Sequence, residues 1–272
     1  MKYKAIFSDF DGTISRSDNT VSEKVKRAIG KYVAAGGRFV LATGRLFSAA
    51  YPRALELGLH GKMIVYQGGG IFDIDSQKPC YLNTIETKSA VKLLRGLEKL
   101  DFCENLAYFD DKCQCARESE YVDVFCDICG VPSYPAQMPL SDYIEQNGIK
   151  PVKVLSLMMP ERTEEFLTYG RKLAGGEMTF VRSHKSVVEI LPEGINKGAA
   201  VKRLCAEFGL DRSEVICMGD SENDASMFPC AGLAVAAGNA MPALKEKADL
   251  VGVSNDEDFA AWVIENYAMR WI

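Results

Sequence analysis

Several features that mark other classes of protein are scarce or missing in this chain of 272 residues. There are two histidines, and the net charge of -5 leaves no basic excess that would suit nucleic acid or an anionic membrane. No apolar run approaches the roughly 20 residues that a membrane-spanning helix needs, and the sequence contains no repeats or low-complexity tracts. These absences argue against a nucleic-acid-binding, membrane-spanning or repeat protein.

The start of the chain shows no signal-peptide core, because residues 1–4 lead directly into a short hydrophobic segment. We therefore expect a cytoplasmic protein. No coiled-coil heptad or long amphipathic edge indicates self-association, so we expect a monomer. With 47% hydrophobic residues, the chain can bury the core of one or two domains.

Nine cysteines are present, and four of them fall close together as Cys113-x-Cys115 and Cys126-x-x-Cys129. A four-thiolate zinc site is one interpretation, and the second pair also has the spacing of a redox motif. The first pair, however, is separated by a single residue and adjoins strand-like sequence. We favour free thiols in a reducing compartment, with zinc binding and redox chemistry as the alternatives.

The segment Asp9-Phe10-Asp11-Gly12 places two carboxylates where a hydrophobic run ends. Residues 3–10 are typical of a short buried strand, so both acids would project from the carboxyl end of a sheet, where open α/β folds bind ligands. Two carboxylates at one strand end repel each other unless a cation or a shared proton offsets their charge, and oxygen ligands suit Mg²⁺. An acidic turn is the alternative, since Asp-Gly is a common turn dipeptide.

Three further segments carry groups that would assist a carboxylate acting on a phosphate ester. Thr43 and Gly44 follow a strand-like run, and their hydroxyl and N–H groups could hold phosphate oxygens at a helix N-terminus. Lys197 opens an amphipathic segment and could neutralise developing charge. Residues 219–224 add acids and an amide at another strand end. Each segment alone is also typical of a helix entry, a solvated lysine or a cap, and their joint occurrence favours the chemical interpretation.

In this order and at these intervals, the four segments resemble the signature motifs of the haloacid dehalogenase superfamily, specifically its Cof-type sugar phosphatases of type IIB with a C2B cap. Asp-x-Asp-Gly-Thr matches residues 9–13, the second motif matches residues 43–45, the third matches Lys197, and Gly-Asp-x-x-Asn-Asp matches residues 219–224. The resemblance covers essentially the whole chain. It departs from the family pattern at Gln67, where the family usually has asparagine, and we expect this to affect cap orientation or substrate fit before phosphoryl transfer.

The resemblance implies a Mg²⁺-dependent phosphatase with an aspartyl-phosphate intermediate. Asp9 would be the nucleophile and Asp11 the acid and base. Mg²⁺ would bind the Asp9 carboxylate, the Asp11 backbone carbonyl and Asp220, with Asp224 in a supporting position. The resemblance assigns the phosphate oxygens to the following residues: Phe10 through its backbone N–H, Thr43, Gly44, Lys197 and Asn223.

The pattern of elements predicts an α/β fold with a Rossmann-like core built on a parallel sheet and an inserted α+β cap. Residues 1–83 and 190–272 would form the core, and residues 84–189 the substrate-specificity cap. Near the end of the chain we expect helices over residues 240–248 and 256–267. Strand order comes from the resemblance alone.

Three functions remain open on the sequence. The first is hydrolysis of small phosphorylated metabolites, sugar phosphates in particular. The second is a phosphomannomutase-like phosphotransferase, which would require a bisphosphate activator and closure against water. The third is a non-catalytic binding protein on the same fold, against which the intact acids and lysine argue.

Overall fold

The computed structural model describes residues 1–270. Its strands are β1 (Ala5–Ser8), β2 (Arg38–Leu41), β3 (Lys62–Val65), β4 (Gly70–Asp73), β5 (Lys78–Leu82), β6 (Cys103–Phe109), β7 (Lys112–Cys115), β8 (Ser133–Pro135), β9 (Lys153–Met158), β10 (Met178–His184), β11 (Val187–Pro192), β12 (Val215–Gly219), β13 (Leu233–Ala236) and β14 (Leu250–Val251). Its α-helices are α1 (Glu23–Ala34), α2 (Phe47–Glu56), α3 (Thr87–Leu97), α4 (Glu120–Cys129), α5 (Leu140–Asn147), α6 (Thr163–Ala174), α7 (Lys197–Phe208), α8 (Pro242–Lys245) and α9 (Phe259–Val263).

The chain divides into two compact units. The first unit comprises Met1–Gly44, Ala50–Cys80 and the described residues from Lys197 onward, and the second comprises Arg45–Ala49 and Tyr81–Asn196. The insertion expected over residues 84–189 lies within the second unit.

The first unit is built on a five-stranded parallel sheet with the order β14-β13-β12-β1-β2. Ser8 at the end of β1 lies opposite Leu41 of β2 on one side and Met218 of β12 on the other. An isolated parallel bridge between Ala42 and Ile64 brings β3 alongside the end of β2. Because these strands run in the same direction, their carboxyl ends meet at one edge of the sheet.

The interior strand β1 is buried along its whole length, as expected for a parallel sheet that is covered on both faces. The helix that follows, α1, is capped by Ser22, whose hydroxyl accepts a hydrogen bond from the Val25 N–H. It ends before Gly36, whose φ of 92° lies in the left-handed region that favours glycine. The sequence predicts this helix from its apolar periodicity over residues 21–35, with Ser22 as the cap and the glycines at 36 and 37 as the stop, and the structure agrees.

The second unit contains a six-stranded sheet with the order β10-β11-β9-β6-β7-β8, antiparallel except between β7 and β8. One of its faces packs on a helical layer. That core joins Leu94 of α3, Ile144 of α5 and Phe166 of α6 to Val154 of β9 and Ile190 of β11. The prediction of an α/β core with an additional α+β sheet is therefore confirmed in its class.

Two helix predictions near the end of the chain were wrong in extent. Residues 240–248 contain only the short helix α8, because the following N–H groups of Lys247 and Ala248 bond three residues back and tighten the chain into turns before β14. Residues 256–267 divide into a 3₁₀ turn, α9 and a π turn at Ile264–Ala268. Helices α4 and α5 were not predicted from the sequence.

Within residues 1–270 no helix has both the length and the apolar character needed to cross a membrane.

Candidate active site

Three acidic side chains meet at the carboxyl edge of the parallel sheet. Asp9 follows β1, Asp220 follows β12, and Asp224 belongs to a 3₁₀ turn just beyond. Each offers one carboxylate oxygen such that the three atoms lie within 4.8 Å of one another. In residues 1–270 no other group of three or more His, Cys, Asp or Glu side chains could hold a metal ion.

Lys197 ties two of these acids together. Its Nζ lies 2.5 Å from Oδ1 of Asp9 and 2.7 Å from Oδ1 of Asp224, and its side chain is fully buried. The lysine is the first residue of α7, and that helix begins against the turn at Ser226, whose hydroxyl accepts a hydrogen bond from the Gly198 N–H. A Cβ on Gly198 would lie 1.9 Å from the Ser226 carbonyl oxygen, so glycine is needed for this approach.

Asp224 is fully engaged by the protein. Its Oδ1 binds Lys197, while its Oδ2 accepts hydrogen bonds from the backbone N–H groups of Asp220 (2.9 Å) and Ser221 (3.0 Å). A carboxylate with these partners fixes the loop after β12. It is therefore better suited to holding Asp220 and Lys197 in place than to direct metal ligation.

Asp220 is oriented by two hydroxyl groups. The Thr13 hydroxyl donates to its Oδ1 at 2.7 Å and the Ser221 hydroxyl to its Oδ2 at 3.0 Å. Gly12 has a φ of 77°, and a Cβ there would lie 2.7 Å from Oδ2 of Asp220. The Asp-Gly-Thr part of the first motif thus has a structural role, since it allows the turn to pass over Asp220 and donates a hydrogen bond to it.

Burial and mutual repulsion dominate the electrostatics of the cluster. Burial raises the pKa of Asp9 well above its usual range, although the Lys197 ammonium opposes this shift. Burial, followed by the charge of Asp224, raises the pKa of Asp220 to about 6. Burial alone would lower the pKa of Lys197, but the two neighbouring carboxylates outweigh it and raise that pKa. Three acids thus face one ammonium group.

The donor set fits a magnesium ion. Carboxylate oxygens are the ligands that Mg²⁺ prefers, and it is usually held by only one or two of them together with waters and substrate phosphates. Asp9 and Asp220 supply two such groups within one acidic cluster, and a divalent cation would offset the excess negative charge there.

The other predicted residues occupy different positions around this cluster. Asp11 is exposed and its carboxylate is not a member of the acidic group, whereas Phe10 and Thr43 are buried. Thr43 and Gly44 lie between the end of β2 and Phe47, the first residue of α2, so they precede the N-terminus of that helix. Their contact with phosphate stays a prediction.

A residue that the sequence analysis did not place in the site is Gln67. It is buried, with a φ of 58°, and its Oε1 accepts a hydrogen bond from Nδ2 of Asn223 at 3.1 Å. The Gln67 N–H also donates to the Thr43 carbonyl. The other amide atom of Asn223, Oδ1, is buried and has no hydrogen-bond partner. The departure from the family pattern at this position was the signal for a role in the site.

A family model for haloacid dehalogenase-like hydrolases matches residues 6–264. The chain belongs to this family. A putative phosphatase of Haemophilus influenzae is 28% identical over 97% of this chain and 98% of its own length. A chloroplast endoribonuclease of Arabidopsis thaliana is 30% identical over 60% of this chain, but the match spans only 28% of that longer protein.

Solved structures of haloacid dehalogenase proteins share the fold over nearly the whole chain. A haloacid dehalogenase-like hydrolase from Bacteroides thetaiotaomicron has a TM-score of 0.85 at 28% identity, covering 97% of this chain and 99% of that one. A subclass IIB sugar phosphatase of the same superfamily has a TM-score of 0.83 at 20% identity, covering 98% and 100%. The predicted family and the prediction of a phosphatase-type hydrolase are therefore confirmed.

Proposed function

We propose that this haloacid dehalogenase hydrolase is a Mg²⁺-dependent phosphatase that cleaves small phosphorylated metabolites through an aspartyl-phosphate on Asp9. The observation that carries the proposal is the position of the Asp9 carboxylate. It is buried just beyond the end of β1, bound by Lys197 and grouped with Asp220 and Asp224. A carboxylate used only for folding gains nothing from two acidic neighbours.

In the first step, an oxygen of Asp9 attacks phosphorus as the bond from phosphorus to the substrate oxygen breaks. The leaving oxygen needs a proton, and Asp11 supplies it. The exposed position of Asp11 suits this role, because the group must reach both the leaving alcohol and, later, water. The products of this step are the free alcohol and phosphorylated Asp9.

In the second step, Asp11 accepts a proton from water as that water attacks phosphorus, which releases inorganic phosphate and restores the Asp9 carboxylate. Splitting one displacement into two in this way is the benefit of covalent catalysis. Asp11 therefore donates a proton in the first step and accepts one in the second.

Mg²⁺, held by the Asp9 and Asp220 carboxylates and the Asp11 backbone carbonyl, would offset phosphate charge and orient the phosphoryl group. Asp224 would support this set through its bonds to Lys197 and the loop amides. The proposed donors to the phosphate oxygens are Thr43, Gly44, Lys197, Asn223 and the Phe10 N–H. Gln67 would fix the Asn223 amide through their hydrogen bond.

We further propose that residues 84–189 act as the cap that selects the substrate, and that sugar phosphates are the substrate class. The support is the resemblance of the sequence motifs to those of Cof-type proteins and the fold that the chain shares with a subclass IIB sugar phosphatase. The monomeric state and cytoplasmic location stay predictions.

The test is phosphate release from a panel of sugar phosphates, nucleotides and phosphorylated cofactors, with Mg²⁺ or with a chelator. Asp9→Asn is the blank, and Asp101→Asn, at an exposed position of the second unit, is the matched control. We expect Mg²⁺-dependent release by the wild type and the control and none by Asp9→Asn. Release that requires a bisphosphate activator would indicate a phosphotransferase, and no release on any substrate would contradict the proposal.

A further inference from the structure

A row of polar side chains crosses the sheet of the second unit on the face opposite the helical layer. Cys113 of β7 lies opposite Tyr108 of β6, and Tyr108 lies opposite Lys153 of β9. Their sequence neighbours Ala107 and Val154 belong to the core packed against the helices, so the alternation of a strand puts this row on the other face. All three side chains are buried.

Lys153 extends the row to a fourth strand. It forms a buried ion pair with Glu189 of β11, and its Nζ lies 4.5 Å from the centroid of the Tyr108 ring. A buried ion pair is costly because both of its charges lose their hydration. The phosphatase mechanism uses none of these residues.

A second thiol lies directly on this row. Sγ of Cys126, in the last turn of α4, is 3.8 Å from Sγ of Cys113, and both residues are buried. The spacing Cys126-x-x-Cys129 suggested Cys129 as the partner of Cys126, whereas in the structure Cys126 contacts Cys113 of β7. Within residues 1–270 the four neighbouring cysteines form no group of three that could hold a metal ion, so the zinc interpretation is not supported.

We propose that Cys113 and Cys126 are an oxidation site, at which a small peroxide converts the two thiols to a reversible disulfide. The two sulfur atoms lie 3.8 Å apart, so they need to approach by about 1.8 Å to reach the S–S bond length of about 2.0 Å. All nine cysteines are free in the reduced protein.

The surroundings give the two sulfur atoms different roles. Hydrogen bonds from the Cys126 thiol and the Tyr108 hydroxyl, assisted by the charge of Lys153, lower the pKa of Cys113 in spite of its burial. The same hydrogen bond, together with burial, raises the pKa of Cys126. We assign Cys113, which lies on the row that contains the Lys153 ammonium, as the sulfur that reacts first, and Cys126 as the resolving thiol.

The reaction balances with hydrogen peroxide as the oxidant. The Cys113 sulfur attacks one peroxide oxygen, an S–O bond forms, the O–O bond breaks, and the departing hydroxide takes up a proton as water. The Cys126 sulfur then attacks the Cys113 sulfenic acid, an S–S bond forms, the S–O bond breaks, and a second water leaves with the Cys126 proton. Two thiols lose two electrons and the peroxide gains them.

The experiment maps the thiols of the folded wild-type protein after exposure to hydrogen peroxide. The sample is quenched in acid, unfolded in urea, alkylated with N-ethylmaleimide, digested without reductant and analysed by mass spectrometry. We expect a peptide linked through Cys113 and Cys126, loss of alkylation at both of these residues, and recovery of alkylation at both after dithiothreitol. The exposed thiol of Cys80 reports that the oxidant was active.

Three variants separate this site from general oxidation. Cys129→Ser should retain the Cys113–Cys126 link. Cys126→Ser should lose it and leave a sulfenic acid at Cys113 that dimedone traps, while Cys113→Ser should leave no trapped product at Cys126. A link between Cys126 and Cys129, or full alkylation of Cys113 and Cys126 while Cys80 is oxidised, would overturn the proposal. None of these readouts depends on phosphatase activity.

Discussion

At the residue scale, the site divides its carboxylates between structure and chemistry. Asp224 uses both oxygens on Lys197 and on two backbone N–H groups, so it organises the loop. Asp220 is held by two hydroxyl groups, which fix a carboxylate without adding charge. Asp9 shares Lys197 with Asp224, and this leaves it as the acid best placed to react.

The two acids of the first motif should respond differently to loss of charge. We expect Asp9→Asn to abolish turnover and to weaken Mg²⁺ binding, because the Asp9 carboxylate belongs to the acidic cluster. Asp11→Asn should reduce turnover by a factor of about 10²–10⁴, the usual contribution of general acid–base catalysis, and leave Mg²⁺ binding largely intact. Isothermal titration calorimetry with Mg²⁺ measures the Mg²⁺ affinity of each variant. Equal loss of Mg²⁺ affinity in both variants would contradict a backbone contact at Asp11.

Gln67 offers a second prediction at this scale. Asparagine can adopt the left-handed backbone conformation of Gln67, but its side chain is shorter by one methylene. In Gln67→Asn we therefore expect the hydrogen bond from Asn223 Nδ2 to be lost. One hydrogen bond of about 0.5–1.5 kcal/mol corresponds to a loss of roughly 2- to 13-fold in kcat/KM. Gln77→Asn is the matched control, because Gln77 has a φ of 57° and lies exposed in the turn between β4 and β5. An unchanged kcat/KM in Gln67→Asn would remove Gln67 from the site.

At the element scale, each functional group lies where a regular element begins or ends. Asp9 and Asp220 follow parallel strands, and Lys197 begins α7. The position of the lysine depends on how closely this helix approaches the turn at Ser226, and Gly198 permits that approach. Phosphoryl transfer is sensitive to such positioning, since most of its catalysis is orientation and charge.

The two glycines at positions 198 and 30 test this dependence. Gly198→Ala places a Cβ against backbone, so we expect a loss of about 1–3 kcal/mol in the free energy of unfolding and a fall in kcat as Lys197 moves. Gly30→Ala, in the exposed interior of α1 with no atom within 4 Å of the new Cβ, should instead stabilise the protein by about 0.5–1 kcal/mol. Urea unfolding and steady-state kinetics of the two variants give both quantities. A Gly198→Ala enzyme with normal kcat would mean that the helix start does not set the lysine position.

At the scale of the whole molecule, the proposed metal ligands all lie in the first unit. Most of the second unit lies between Asp9 and Asp220 in the sequence. A ligand that binds only the folded state stabilises that state in proportion to its affinity. A Mg²⁺ ion bound by the proposed ligands would therefore stabilise the folded arrangement of the segments that contain Asp9 and Asp220.

Mg²⁺ should protect the first unit selectively. At a concentration 100 times its dissociation constant we expect about 2.7 kcal/mol of added stability, which a chelator removes together with activity. Hydrogen exchange should slow in residues 8–13 and 219–224 and stay unchanged in β9 of the second unit. Asp9→Asn is the control in which Mg²⁺ should have little effect on either region. Equal protection of both units would contradict a site confined to the first.

The sequence by itself determined the family, the α/β class and the acids that were expected at strand ends. Periodicity sufficed for α1 and its Ser22 cap, because those features depend on neighbouring residues. Periodicity did not reveal α4. The apolar residues of this helix do not mark a single buried face, because Tyr121, Val124 and Ile128 are exposed.

Only the tertiary structure decided which side chains meet. The bond from Lys197 to Asp9 joins residues 188 positions apart, and Cys126 contacts Cys113, 13 positions away, a contact that the sequence spacing did not indicate. Gln67 and Asn223 are 156 positions apart, and their hydrogen bond likewise depends on packing between distant segments and not on the residues next to either of them. The types of chemistry are therefore written in short motifs, while the partners of each group are fixed by contacts between distant segments.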